Sequence, residues 1–264
     1  VIAAGPTESG DTAASDTPPA DTAFVTHASP GPAVAGLAGA PADGVAQYRR
    51  VVVWRHGQTS WNAAGRFQGQ TDIELDEVGR AQAEASARLL AALSPGRVVA
   101  SDLTRARDTG EALGRLAGLP VTVDLRLRET YAGRWQGLTF AQIDEQFPEE
   151  AAGWATGDVT VVPGGGECRL DVAARVCAAV EEHLRGLPEN GLLVLATHGG
   201  AARVAIASLL GLPHDRWAVM SGLANCNWSM LEEMGPEKAT RGLRWRLAAH
   251  NAGSLPEPVT VQEG

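Results

Sequence analysis

Cysteine is scarce: the chain of 264 residues has three, Cys168, Cys177 and Cys226. An odd number at no zinc-like spacing gives neither a disulfide framework nor a metal centre, so all three are read as reduced core thiols. Long apolar runs are absent too, and with them a candidate membrane-spanning helix. The first residues lack a basic stretch followed by an apolar one, so the cytoplasm is the expected compartment. A concentrated basic stripe is also missing. The formal charge of −9 argues against nucleic acid or an anionic membrane as a partner and leaves small molecules as the expected ones.

Residues 1–48 contain no Lys or Arg and are crowded with Ala, Pro, Thr and Gly. Such a stretch cannot bury enough apolar surface to offset its ordering entropy, so a disordered tail is expected, with His27 a solvated side chain. A second flexible tail is expected over 253–264. Between them, 49–252 should form one domain, because 44% hydrophobic and 20% charged residues are enough for an ordinary globular core.

Within that domain strand and helix patterns alternate. Val51-Val52-Val53-Trp54 reads as a strand buried on both faces, and Val98–Ala100, Val121–Val123 and Leu192–Ala196 as further strands. Asp76–Leu93 reads as an amphipathic helix with Ala81, Ala85, Leu89 and Ala92 inward. Leu103–Leu116 is a second helix, and Cys168–Leu187, with Val172, Val176 and Val180 at i, i+4, a long third. Another begins after His198 and ends near Gly211-Leu212-Pro213. Asn225–Leu231 and Leu243–Ala248 are closing strands. The order implies an α/β fold: a three-layer α/β/α sandwich around a mostly parallel central sheet.

Ligands in such folds bind beyond the carboxyl ends of the strands. There the sequence places Arg55-His56-Gly57, Ser101-Asp102-Leu103-Thr104-Arg105 and His198-Gly199-Gly200. Arginine presents a planar fork of donors matched to phosphoryl oxygens, and the helix start after His198 adds unpaired N–H groups. A neutral imidazole can attack phosphorus when its other nitrogen donates to a backbone carbonyl, and Gly57 allows a backbone close enough to receive that bond. The composition is that of a phosphate site.

Arg55-His56-Gly57-Gln58-Thr59 with Trp61-Asn62 resembles the signature of the histidine phosphatase (phosphoglycerate-mutase-like) superfamily. Gly65-Arg66-Phe67-Gln68-Gly69, Ser101-Asp102-Leu103 with Arg105, Leu127-Arg128-Glu129 and His198-Gly199-Gly200 follow in that family's order, so the likeness spans about Arg50 to Asn251. The resemblance implies a histidine-phosphatase-like fold and a metal-independent phosphomonoesterase with no cofactor and a small phosphorylated substrate. It makes His56 the nucleophile, Glu129 the general acid, and Arg55, Arg105 and His198 the residues that hold the phosphoryl group. Asn62, Gln68, Thr59 and Gly199 would join them in binding substrate. Gln68 fits a turn equally well, and Thr59 could cap the turn that follows it. By analogy a homodimer is expected.

Within the superfamily, Trp135-Gln136-Gly137-Leu138-Thr139, Gly165-Gly166-Glu167 and Arg244-Trp245-Arg246-Leu247 are similar to glucosyl-3-phosphoglycerate phosphatases. The main alternative is a cofactor-dependent phosphoglycerate mutase. Mutases carry several basic residues after the general acid, whereas 130–166 here has one, Arg134, so a clamp for a second anionic group is not expected from that segment. A catalytically dead, phosphate-binding scaffold is the rival of another class, and it would be expected to lack one of His56, Arg105, Glu129 or His198. Arg107, Arg115, Arg126 and Arg175 are read as solvated or salt-bridging, and His183, His214 and His250 as structural or exposed. Trp154, Trp217, Trp228 and Trp245 are read as core or pocket wall.

Overall fold

A computed structural model describes residues 48–235 and 243–253; the expected tails, save Tyr48 and Gly253, and His27 lie outside the described residues. Its elements are β1 (Arg50–Arg55), α1 (Ser60–Ala63), α2 (Glu77–Ala91), β2 (Arg97–Ala100), α3 (Thr104–Ala117), β3 (Val121–Val123), α4 (Phe140–Gln146), α5 (Pro148–Ala155), α6 (Arg169–Leu184), β4 (Leu192–Thr197), α7 (Gly199–Leu209), β5 (Trp228–Glu233) and β6 (Trp245–Ala252). Among the described residues no helix is long and apolar enough to cross a membrane.

The strands form one sheet in the order β3-β2-β4-β1-β5-β6. β3, β2, β4 and β1 run parallel, while β5 and β6 add antiparallel edges. Alternation along each central strand sends side chains to opposite faces. Val51, Val53, Leu193 and Leu195 pack with Val172, Val176, Val180 and Ile206 of α6 and α7. Val52, Trp54, Val98 and Val194 pack with Ala83, Ala87, Leu90 and Leu113 of α2 and α3. Each fully buried Val or Leu contributes roughly 1.5–3 kcal/mol to holding the three layers together. A third apolar cluster, built on Phe67, Trp135, Ile143 and Trp154, joins α4 and α5 to the segment after α1.

The inward face of α2 differs from the sequence expectation. The buried residues are Gly79, Ala83, Ser86, Ala87 and Leu90, whereas Leu89 is 44% exposed. A helix so rich in alanine has a nearly degenerate apolar face, and here the backbone contact of Gly79 decides. A Cβ on Gly79 would lie 2.0 Å from the Gln58 carbonyl oxygen, so this turn of α2 packs backbone to backbone against the loop after β1. The closing strands also shift, to Trp228–Glu233 and Trp245–Ala252. Asn227 donates from Nδ2 to the Asn251 carbonyl at 3.0 Å, which ties 224–227 into a turn rather than a strand. Of the three thiols, none is in a disulfide, but only Cys226 is fully in the core; Cys168 and Cys177 are partly exposed.

Candidate active site

Register places the chemistry. Arg55 pairs with Thr197 across β1 and β4, and Ala100 with Ala196 across β2 and β4, so three chain exits meet at one end of the sheet. They deliver Arg55-His56, His198 and, through the first turn of α3, Arg105.

His56 is buried, and its Nδ1 lies 2.7 Å from the Gly57 carbonyl oxygen. A carbonyl only accepts, so Nδ1 carries the proton and Nε2 keeps its lone pair. The His198 ring stands 5.1 Å away, centroid to centroid, inclined by 61°. Gly57 is required by crowding, since a Cβ there would meet the Gly79 carbonyl oxygen at 2.3 Å. The Gly57 N–H donates to Thr109 Oγ1, 3.2 Å away, which fastens the loop to α3.

Both guanidinium groups are anchored at one end. Arg105, fully buried, donates to the Gly69 carbonyl at 2.7 Å and the Thr71 carbonyl at 2.8 Å. Arg55 donates to the Leu223 carbonyl at 2.6 Å. Their Nε atoms, and both ring nitrogens of His198, are buried with no hydrogen-bond partner among the described residues. Leaving a buried donor unpaired costs about 1–3 kcal/mol, more when it is charged, so the two guanidinium Nε–H groups and the one N–H of the neutral His198 ring, beside His56, define a site for an anion rich in acceptors.

Burial is the main cause that lowers the pKa of Arg105 to about 10, opposed by the charges of Glu129 and Asp72, so the group stays cationic near neutrality. Burial also lowers Arg55, with Glu129 opposing. His56 is pushed well below the usual imidazole value by burial, then by Arg105 and Arg55, against the opposing bond to Gly57. His198 falls likewise, through burial, Arg105 and His56. Both rings are therefore neutral in the folded protein at neutral pH. The unfolded chain takes up these protons as pH drops below about 6.5 while the folded chain does not, so stability is lost in that direction, by about 1.4 kcal/mol per pH unit per group. Thermal denaturation in phosphate-free buffer should accordingly show Tm falling between pH 7.5 and 5.5; a flat profile would show that the rings are not held neutral.

Glu129 reaches the same pocket from the turn after Leu125–Leu127. Its Oε2 accepts from the Gly200 N–H and its Oε1 from the Ala201 N–H, both at 2.9 Å, which places the carboxylate on the N-terminus of α7. Arg175, expected to be solvated or salt-bridging, does pair with Glu167 at 2.9 Å, yet it does more. It donates to the carbonyls of Arg126, Arg128 and Glu129 at 2.7, 2.6 and 2.9 Å and so holds the segment that carries Glu129.

Arg55, His56, Asn62, Gln68, Arg105, Glu129 and Gly199 line one open pocket, with the buried His198 ring against His56. Thr59 does not line it. Its hydroxyl is buried, caps α1 by accepting from the Asn62 N–H at 3.1 Å and lies 3.0 Å from Gln68 Oε1. Here it acts as a cap beside Asn62 and Gln68. Sequence reasoning passed over Asn225, whose Nδ2 donates to the His56 carbonyl at 3.0 Å and is 3.3 Å from Asn62 Oδ1. No local pattern marks it, because its partners come from far along the chain. His183 is structural, 2.9 Å from Asp124. His214 packs edge-on against Trp217, and His250 sits between Ser221 and Ser229. Trp154, Trp217, Trp228 and Trp245 are all buried.

A buried imidazole thus stands beside a second imidazole and two anchored guanidinium groups at the carboxyl end of the parallel strands. The model of the histidine phosphatase superfamily (branch 1) matches residues 51–246, and the chain belongs to that superfamily. It is 45% identical over 214 residues to a glucosyl-3-phosphoglycerate phosphatase of Mycobacterium tuberculosis, covering 78% of this chain and 96% of the relative. A solved mycobacterial glucosyl-3-phosphoglycerate phosphatase in complexes with VO3 superposes with a TM-score of 0.71 at 45% identity, covering 78% of this chain and all of that one. A probable phosphoglycerate mutase of Photorhabdus laumondii is more distant, 34% identical over 69% of this chain and 84% of its own length.

Proposed function

We propose that the chain hydrolyses phosphate monoesters through a phosphohistidine on His56, and that glucosyl-3-phosphoglycerate or a related sugar or glycerate phosphate is its substrate. The observation that carries this reading is the set of buried N–H groups of Arg55, Arg105 and His198 beside His56 that lack a partner among the described residues. Phosphoryl oxygens supply the acceptors those atoms need. As the phosphoryl group moves to Nε2 of His56, the Nδ1–H bond to Gly57 steadies the positive charge that develops on the ring. The arginines meet the negative charge on the equatorial oxygens, which is where electrostatic stabilisation acts in phosphoryl transfer. Glu129 gives a proton to the leaving alkoxide and, in the second step, takes one from the water that attacks the phosphohistidine. Water's oxygen ends in inorganic phosphate and His56 is regenerated with its proton still on Nδ1.

The mutase alternative needs positive charge for a second anionic end from the segment after the acid. Arg134 is the basic residue there, and it lies 3.7 Å from Glu150 and over the Phe147 ring, outside the pocket lining. The higher identity to a glucosyl-3-phosphoglycerate phosphatase, 45% against 34% to the probable phosphoglycerate mutase, supports hydrolysis over transfer. The test is phosphate release from glucosyl-3-phosphoglycerate beside conversion of 3- to 2-phosphoglycerate. Release of phosphate without isomerisation, unchanged by EDTA because arginines supply the charge, is the expected result; efficient isomerisation would replace the phosphatase reading with the mutase one.

A further inference from the structure

Glu167 ends the Gly165-Gly166-Glu167 motif, lies outside the pocket lining and takes no part in the proposed chemistry. Its backbone runs against the segment that follows Glu129. The Glu167 N–H donates to the Tyr131 carbonyl at 2.7 Å, and a Cβ on Gly166 would lie 1.7 Å from that same oxygen, so only glycine allows the approach. Glu167 Oε1 accepts from Arg175 Nε at 2.9 Å. Its Oε2 accepts from the Tyr131 N–H at 2.9 Å, Arg175 Nη2 at 3.0 Å and Gln70 Nε2 at 3.4 Å.

Two of those donors meet again at Glu129, whose carbonyl accepts from Arg175 Nη2 at 2.9 Å and from Gln70 Nε2 at 3.0 Å. Gln70 itself sits between Gly69 and Thr71, the residues whose carbonyls anchor Arg105. One short segment thus sets the grip on the phosphoryl group and, through the Gln70 side chain, the main chain of Glu129. The link has a chemical use. A carboxyl group that gives and takes a proton must turn an oxygen to the leaving group, so the contacts of its own oxygens with the Gly200 and Ala201 N–H groups cannot alone keep it in place. A fixed main chain can, and small displacements of a reacting group are costly. We propose that Glu167 is a positioning residue for proton transfer: it holds Gln70 and Arg175 on the Glu129 carbonyl and so keeps the Glu129 carboxyl within reach of the leaving oxygen. This rests on Glu129 being the proton donor of the phosphatase reading.

The test is the ratio of kcat/KM for glucosyl-3-phosphoglycerate, whose alkoxide needs a proton, to that for p-nitrophenyl phosphate, whose phenolate leaves without one. In Glu167→Ala the ratio should fall by at least about tenfold, part of the roughly 10²–10⁴-fold worth of a positioned general acid. Glu167→Gln, which keeps the shape and one acceptor oxygen, should recover some of the loss, and Gln70→Leu should lower the ratio as well. In a Glu129→Gln background Glu167→Ala should lower it no further, because the group that Glu167 positions is gone. A merely structural role would slow both substrates alike. A ratio unchanged in both Glu167→Ala and Gln70→Leu, or one that falls equally with and without Glu129, therefore overturns the inference and leaves Glu129 as the acid. A ratio unchanged in Glu129→Gln itself overturns the acid assignment together with the inference.

Discussion

Replacing His56 with alanine should lower kcat/KM for every phosphate ester by at least about 10⁴-fold, the scale on which removal of a covalent nucleophile acts. The variant keeps Arg55, Arg105, His198 and the Glu129 cap on α7, so it should still bind inorganic phosphate, seen as a rise in Tm on adding the ion. Loss of turnover with phosphate binding retained separates a missing nucleophile from a damaged pocket. Activity within tenfold of wild type would mean that water attacks phosphorus directly or that another group is phosphorylated.

The second large effect concerns Glu129. Glu129→Gln should slow hydrolysis of a glycerate or sugar phosphate by about 10²–10⁴-fold, the usual worth of a positioned general acid. With p-nitrophenyl phosphate the loss should be less than about tenfold, because nitrophenolate leaves without being protonated. The comparison is made in kcat/KM, which reports the phosphoryl-transfer step and not breakdown of the phosphoenzyme. A structural defect alone, for example a loosened contact with the Gly200 and Ala201 N–H groups, would slow both substrates alike. Equal losses would therefore remove Glu129 from the proton-transfer role.

These expectations could be framed early because the layers and the pocket floor depend on local signals. β4 is an unbroken buried run from Leu192 to Thr197 and β1 a buried apolar stretch, so periodicity and length were enough to find both. Once the sheet is parallel, the residues that follow its strands are forced together, and Arg55, His56, Arg105 and His198 fall into place. What depends on distant backbone contacts was not legible. The face of α2 is decided by Gly79 against Gln58, a contact invisible in the alanine pattern. The cap contacts of Thr59 depend on the position of Gln68 and Asn62 beside its hydroxyl. Asn225 and Arg175 act through carbonyls of other segments, which carry no sequence signature.

The double displacement through His56 is tested most directly by the stereochemical course at phosphorus, using an ester whose phosphoryl group is made chiral with oxygen isotopes. Two successive in-line displacements, onto His56 and then onto water, give net retention of configuration, however briefly the phosphoenzyme lives. Inversion would contradict the covalent route, since it is the signature of a single attack by water with His56 reduced to a base or a binding group.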